Sequence, residues 1–292
     1  MVTRIALLLF WLFHFLPKAV LYCIGLLIGL LLMVFARDRM SVVEKNISLC
    51  FPNLPAKEQG ILKRKHFYSL GIALAFTSIA WWGSEKQVRE IAEIRGWKNF
   101  AKADEKNPVI VLAPHFVGVE ILGIRISMEK DAVVIYSHQK DKTFDRFLKK
   151  KRGRFSHPKL FSRQENLKSV IRALKARVPL YLLPDQDFGP KDSIFSTFFG
   201  VTCATTTGPS RIARLAGAAI VPVTITSKKE GYGYQITFFP EWQNFPSENI
   251  NNDVRKMNEF IENQVREKPE EYYWVHKRFK TRRPGEPDIY KS

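Results

Sequence analysis

Three features of the sequence predict an α/β fold, with a mostly parallel central sheet flanked by helices and an N-terminal membrane helix. From residue 109 onward, short apolar runs alternate with segments of helical periodicity, which is the pattern of strands joined by crossover helices. A histidine and an aspartate follow closely after two of these apolar runs, where parallel sheets place their chemistry. A long apolar segment near the N-terminus stands apart from this alternation.

The composition is that of one large domain with an appendage. The chain has 292 residues, of which 46% are hydrophobic, and it contains no visible internal repeat. Its three cysteines, Cys23, Cys50 and Cys203, are far apart, so they suit neither a metal site nor a disulfide framework. Their spacing favours a reducing compartment for the main body.

The N-terminal apolar segment predicts a membrane anchor. Residues 5–16 are apolar, Pro17 and Lys18 interrupt them, and residues 19–35 form an uninterrupted apolar run, at the short end of what crosses a bilayer. Both a kinked spanning helix and a monotopic hairpin inserted from one side fit this pattern. More basic residues follow the run than precede it, which predicts a cytoplasmic location for the rest of the chain.

The predicted organisation is therefore an anchor over residues 1–40 and a cytoplasmic α/β domain over residues 41–292. Residues 41–55 read as a linker, residues 57–82 as a helix or helix pair, and residues 87–94 as a short helix. Strands are predicted at 109–113, 132–136, 180–183, 219–226 and 234–239. Helices are predicted at 118–128, 142–151, 164–176, 208–216 and 252–268.

The net charge of +18 predicts an acidic partner. Anionic membrane, nucleic acid, a phosphorylated substrate and an acidic carrier protein all fit a charge of this sign and size. The basic residues cluster in 149–154 and 276–283, which favours a specific anionic partner over general solubility.

His115 and Glu120 are the candidate catalytic pair. A five-residue step within one helix would separate them by about 140°, so they meet only if His115 lies in the turn before the helix. A carboxylate that holds one imidazole nitrogen leaves the other free to act as a base on a hydroxyl. We therefore expect Glu120 to hold the His115 ring.

Two further segments carry candidate binding residues. Asp185 and Asp187 lie on a Pro- and Gly-bounded loop after the apolar strand at 180–183. Thr206, Thr207 and Gly208 lead into a helix whose free N–H groups can receive a phosphate or a carbonyl oxygen. The sequence offers no clear metal-ligand cluster.

Arg152 and Arg154 lie in the densest basic run of the central region. Arginine binds phosphate or carboxylate through two parallel hydrogen bonds. The run therefore predicts a clamp for an anionic substrate, although a solvated helix end has the same composition.

Together these segments carry a family resemblance. The blocks are His115-x4-Glu120, Arg152-Gly-Arg154-Phe, Leu183-Pro-Asp-Gln-Asp-Phe-Gly-Pro190, Ala204-Thr-Thr-Thr-Gly208, Val221-Pro222 and Tyr273-Trp-Val-His-Lys-Arg-Phe-Lys-Thr-Arg282. In this order they resemble the late lipid A acyltransferases, the lauroyl/myristoyl transferases of Gram-negative bacteria within the lysophospholipid acyltransferase superfamily. The resemblance runs nearly from end to end and implies a glycerophosphate-acyltransferase-like fold.

The resemblance implies roles for individual residues. His115 matches the catalytic base and Glu120 its partner, while Asp185 matches an essential aspartate. Arg152 is the better match to an essential arginine, with Arg154 as the alternative.

The resemblance also implies a reaction. A fatty acyl group passes from acyl carrier protein to a hydroxyl of a lipid A precursor of the Kdo-lipid IVA type, giving an acyloxyacyl group. The expected location is the inner membrane, with its anionic lipids as partners. The resemblance implies no cofactor, metal or nucleic acid. Another glycolipid or a glycerophospholipid precursor remains an alternative acceptor. A membrane-tethered basic binding protein is the alternative from a different class, because the net charge alone would permit it.

Overall fold

The protein, described here from a computed structural model over residues 2–162, 167–229 and 232–291, is built around a seven-stranded sheet. The strands are β1 (Ala92–Arg95), β2 (Val109–Leu112), β3 (Val133–Tyr136), β4 (Lys159–Ser162), β5 (Leu180–Leu182), β6 (Ser193–Phe198), β7 (Val201–Thr206), β8 (Ala219–Ser227) and β9 (Tyr234–Phe238). The sheet order is β1-β9-β8-β2-β5-β3-β4, and β6 and β7 form a separate hairpin. All neighbours in the sheet are parallel except β8 and β9, so the predicted mostly parallel sheet is confirmed.

The helices cover the sheet and form the N-terminal part of the chain. They are α1 (Val2–Leu12), α2 (Lys18–Phe35), α3 (Arg37–Cys50), α4 (Ala56–Trp82), α5 (Glu85–Ile91), α6 (Trp97–Lys106), α7 (Val119–Ser127), α8 (Lys142–Arg152), α9 (Leu167–Lys175), α10 (Gly208–Ala216) and α11 (Ile250–Glu267). Short 3-10 turns occupy Phe13–Phe15 and Pro269–Glu271.

The five predicted strands and the helices between them are present within a few residues of their expected bounds. The start of the helix predicted at 164–176 lies outside the described residues, which resume with α9 at Leu167. The predicted linker is wrong, because α3 continues to Cys50 and runs across the expected boundary at residue 40. The sequence reasoning also missed β1, β4, α6 and the β6–β7 hairpin, which are short or lie away from the centre of the sheet.

α2 packs against α4 through glycines. Gly25 and Gly29 are buried on α2, and a Cβ added to Gly25 would lie 2.5 Å from the Ile72 Cα. A Cβ added to Gly71 of α4 would lie 2.2 Å from the Gly25 carbonyl oxygen. The two backbones are therefore in contact, which only residues without side chains permit.

The pairing of β2 with β5 positions the candidate site. All four residues of β2 are buried, and Leu112 pairs with Leu182 in parallel register. The loops that follow β2 and β5 therefore begin at the same level along the two strands. This register brings residue 115 beside residue 185, since each lies three positions beyond its paired leucine.

Candidate active site

The imidazole of His115 is held by Asp185. The His115 Nδ1 and the Asp185 Oδ1 are 2.6 Å apart, and the His115 backbone N–H donates to Asp185 Oδ2 at 2.8 Å. Asp185 is 1% exposed, whereas the side chain of His115 is 20% exposed. The carboxylate thus fixes both the ring and its main chain, and Nε2 has no hydrogen-bond partner among the described residues.

The charge state of Asp185 follows from its surroundings. Burial raises its pKa, but the charge of His115, the two hydrogen bonds from that residue and the charge of Arg278 together lower the pKa below its usual value. The carboxylate is therefore ionised at neutral pH. An ionised Asp185 accepts the Nδ1 proton and favours the tautomer in which Nε2 carries a lone pair.

The expected contact between His115 and Glu120 is not made. Glu120 instead accepts three hydrogen bonds from Arg152, the shortest at 2.6 Å, and one from the Trp81 indole N–H at 3.0 Å. The physical reason is strand pairing. The register of β2 and β5 places the Asp185 carboxylate beside the imidazole, while Arg152 and Trp81 hold the Glu120 carboxylate. Arg152 neutralises Glu120, and its Nη1 atom makes no hydrogen bond within the described chain.

His115 opens onto a cavity of about 780 Å³. Both the first and the last residue of α7, Val119 and Ser127, line it, so the cavity follows the helix over about 12 Å at 1.5 Å per residue. Its walls are mainly aliphatic, with the contributors Val111, Ala113, Leu122, Ile126, Val134 and Leu182. Such a lining suits a hydrocarbon chain.

Cationic side chains also line this cavity. Arg152, Lys191 and Arg211 are among its lining residues together with Glu120. Arg211 pairs with Asp192, whereas Lys191 is exposed. The sequence reasoning missed Lys191 and Arg211, although Lys191 follows the Pro-bounded aspartate loop directly.

Arg154 and Asp187 form hydrogen bonds with other segments of the chain and do not face the cavity. Arg154 donates to the carbonyl oxygens of Ala80 and Gly83 at the C-terminal end of α4. Asp187 accepts from the backbone and the hydroxyl of Thr281. Neither residue is part of the cavity lining in the described chain.

Polar groups at the start of α10 already have local hydrogen-bond partners. The Thr206 hydroxyl accepts from the Gly208 N–H, and the N–H and hydroxyl of Thr207 both donate to the Asp192 carbonyl. Thr206 and Gly208 line the cavity. The N–H groups of Thr207 and Gly208 are therefore less available to a substrate than the sequence pattern suggested.

The start of α7 has free donors. The N–H groups of Glu120 and Ile121 have no hydrogen-bond partner among the described residues, as expected for a first helical turn. N–H groups of a first turn point towards the helix N-terminus, which here is the side of His115. These donors are suitably oriented for a developing negative charge.

The C-terminal block of the family resemblance contacts both the loop of His115 and the loop of Asp187. The Tyr273 N–H donates to the His115 carbonyl at 2.9 Å, and the Asp187 N–H donates to His276 Nε2 at 2.8 Å. Arg278 is 2% exposed and donates to the Ala204 carbonyl and the Thr205 hydroxyl. This segment supports the site mainly from outside the cavity. In the described chain Tyr273 lines the cavity, whereas the charged side chains of the segment do not.

Within residues 2–162, 167–229 and 232–291, no group of three or more His, Cys, Asp or Glu side chains is arranged to hold a metal ion. Cys23 is exposed, and Cys50 and Cys203 are buried as free thiols.

Comparisons with known proteins agree on one family. The profile described as "Bacterial lipid A biosynthesis acyltransferase" matches residues 1–281. The lipid A biosynthesis palmitoleoyltransferase of Escherichia coli is 34% identical over 96% of this chain and 91% of its own. The lauroyltransferase of the same organism is 31% identical over 96% of this chain and 92% of its own.

A solved structure is also similar at a lower level. The 1-acyl-sn-glycerophosphate acyltransferase of Thermotoga maritima aligns with a TM-score of 0.37 and 13% sequence identity. The alignment covers 80% of this chain and 95% of that one.

Proposed function

Because the chain belongs to the bacterial lipid A biosynthesis acyltransferase family and is therefore an acyltransferase, we propose that it transfers a fatty acyl group from acyl carrier protein to a hydroxyl of a lipid A precursor. The precursor is of the Kdo-lipid IVA type, and the product carries an acyloxyacyl group. The observation that carries this proposal is a histidine base, held by a buried aspartate, that opens onto an apolar cavity.

His115 acts as the general base. Its Nε2 takes the proton of the acceptor hydroxyl while the oxygen attacks the thioester carbonyl carbon. The new C–O bond forms, the C–S bond breaks, and the thiolate of the carrier takes the proton from the imidazolium. Asp185 stabilises the imidazolium between these two steps, because its carboxylate lies 2.6 Å from Nδ1.

The α7 N-terminus stabilises the oxyanion. The free N–H groups of Glu120 and Ile121 and the positive end of the helix dipole face the side on which the tetrahedral intermediate forms. Glu120 thereby contributes its backbone, while its carboxylate positions Arg152 through the bonds to Nε and Nη2.

The acyl chain and the charged groups of the acceptor bind to different parts of the cavity. Its aliphatic wall along α7 receives the acyl chain, and Arg152, Lys191 and Arg211 bind the phosphates or sugar-acid carboxylates of the acceptor. The free Nη1 of Arg152 gives this residue a direct contact with an anionic oxygen. Thr206 and Gly208 complete the wall, whereas Asp187 and Arg154 support the surrounding loops.

The proposed location is the inner membrane, with the catalytic domain on the cytoplasmic side. The apolar N-terminal helices support a membrane location, and the net charge of +18 suits both anionic lipids and an acidic carrier protein. The cytoplasm supplies acyl carrier protein as the donor.

The test is acyl transfer by the full-length His115→Ala variant, with His157→Ala as the matched control. His157 is an exposed histidine whose contact in the structure comes from its backbone N–H to Asp131. We expect loss of about 10²–10⁴-fold for His115→Ala and wild-type rates for the control. Equal activity of the two variants contradicts the base assignment.

The acceptor is tested with the wild-type enzyme and one acyl carrier protein thioester. A lipid A precursor and a 1-acyl glycerophosphate are offered separately, and kcat/KM is compared. Preference for the glycerophosphate would replace the lipid A precursor with a glycerophospholipid acceptor.

A further inference from the structure

The packing of α2 bears on how the N-terminal helices meet a membrane. α2 is long and apolar enough to cross a bilayer by length and composition, yet it does not stand apart from the rest of the chain. Gly25 lies against Ile72 of α4, and Gly29 lies against Tyr68. The two helices therefore run antiparallel in backbone contact, and the same four-residue step brings Met33 level with Arg64.

α4 in turn is fixed to the catalytic domain. His66 Nδ1 lies 3.1 Å from the Glu270 carbonyl oxygen, and Trp81 donates to Glu120 in the wall of the cavity. Phe76 is fully buried in the core. α2 thus lies along the catalytic domain with α4 between them.

The start of α2 and the helix that follows it, α3, also contact that domain. At its start, Lys18 pairs with Glu90 of α5 at 3.4 Å. Beyond its end, Arg39 donates to the Val275 carbonyl and Asn46 donates to the Trp274 carbonyl. If α2 crossed a bilayer, it would carry Glu90 and the charged N-terminal half of α4, with Lys63, Arg64 and Lys65, into or across the hydrocarbon. Charged side chains are strongly disfavoured there.

The outward face of α1 and α2 is apolar and is not covered by any other described part of the chain. Its most exposed large side chains are Ile5, Leu8, Leu9, Leu12, Phe15, Val20, Leu27, Leu30, Leu31, Val34 and Phe35. Exposed cations lie near this face: Arg4 is on α1, Arg37 directly follows α2, and Arg64 is level with Met33; none of the three makes an ion pair among the described residues. An apolar face bordered by unpaired cations complements the interface of a bilayer with anionic headgroups.

We propose that α1 and α2 lie in the plane of one leaflet and do not cross the membrane, so that the whole chain remains on one side. This rests on the membrane location proposed above and adds the orientation. It also places the site close to lipid, because Phe10 of α1 packs on Trp81 with ring centroids 5.5 Å apart and Trp81 bonds to Glu120.

Thiol labelling tests the orientation in the full-length chain. Cys23→Ser removes the exposed native thiol, leaving the two buried ones. Into this background, Arg4→Cys reports on α1 and Lys86→Cys reports on the catalytic domain, both at exposed positions. A membrane-impermeant maleimide is then added either to spheroplasts or to inverted inner-membrane vesicles.

We expect both cysteines to be labelled in inverted vesicles and neither in spheroplasts. Labelling of Arg4→Cys in spheroplasts, with Lys86→Cys protected there, would overturn the in-plane arrangement. The experiment needs no acyl donor, so one-sided labelling of a chain without transferase activity would support this arrangement while refuting the proposed reaction.

Vesicle partition tests the apolar face itself. Leu27 of α2 is 55% exposed and Leu215 of α10 is 52% exposed, so Leu27→Glu and Leu215→Glu form a matched pair. With purified full-length protein and vesicles containing phosphatidylglycerol, we expect the partition coefficient to fall about tenfold for Leu27→Glu and to stay at the wild-type value for Leu215→Glu. Equal partition of the two variants would refute the assignment of this face.

Discussion

Replacing Asp185 with Asn tests the central contact of the site. Asp185 accepts two hydrogen bonds from His115, one from the backbone N–H at 2.8 Å and one involving Nδ1 at 2.6 Å. An asparagine has one acceptor oxygen for these two donors, so either orientation of the amide sets an N–H₂ group against an N–H group. The substitution therefore favours the tautomer with the proton on Nε2, which cannot act as a base.

The magnitude follows from the charge that is lost. Opposite unit charges 2.6 Å apart attract by about 6 kcal/mol at an effective dielectric constant of about 20. Because this attraction develops only when the imidazole takes up the proton, it stabilises the transition state and not the resting enzyme. The His115 side chain is 20% exposed, so water screens part of it, and we expect kcat to fall by about 10³-fold.

The assay is steady-state acyl transfer at saturating substrate, with Asp187→Asn as the control on the same loop. Asp187 is 4% exposed and binds Thr281 instead of the imidazole. We expect the control to lower the melting temperature while kcat stays within about tenfold of wild type. If Asp185→Asn kept more than about a tenth of wild-type kcat, the role of Asp185 as the partner of His115 would be refuted.

Three further predictions concern the cavity and its supports. A Cβ added to Gly123 meets no atom within 4 Å, so Gly123→Leu should fill the cavity and shorten the preferred acyl chain; an unchanged chain profile by mass spectrometry contradicts this. Arg152→Lys cannot keep the bidentate pair with Glu120, so the KM for a bisphosphorylated acceptor should rise more than that for a monophosphorylated one. Equal increases would indicate a structural role. Burial lowers the pKa of His276 to about 4, and since the unfolded chain binds this proton near pH 6.5, the contribution of His276 to stability should fall by about 2 kcal/mol between pH 7 and pH 5. His276→Gln removes this titration and retains an acceptor for the Asp187 N–H, so its unfolding free energy should depend less on pH; an equal pH dependence counts against the effect.

The sequence predicted the elements of the sheet better than the contacts between them. His115 and Asp185 could be placed at the ends of strands because apolar runs precede both. Their partnership depends on the order of strands, in which β2 lies beside β5 although β3 and β4 come between them in the chain. Closeness in sequence favoured Glu120 instead, and only the Leu112–Leu182 register corrects that choice.

Charged residues were predicted less well than apolar ones. The density of cations around Arg154 suggested a substrate clamp, yet the guanidinium satisfies carbonyl groups at the end of α4. A sequence pattern gives the charge of such a residue but not the backbone acceptors that a distant segment brings to it. Arg278 was similarly part of a recognisable block, while its burial against Thr205 follows only from the folded chain.

The C-terminal block, residues 273–282, is among the last parts of the chain to be synthesised. α1, α2 and α4 are complete once residue 82 has left the ribosome, so the helical layer proposed to contact lipid can form early. The carbonyl of His115, in contrast, waits for Tyr273, and the Asp187 loop waits for His276 and Thr281. If α1 and α2 bind lipid as proposed, a nascent chain can therefore reach the membrane before the His115 and Asp187 loops are held in place, and termination before these residues would leave an anchored polypeptide without that support.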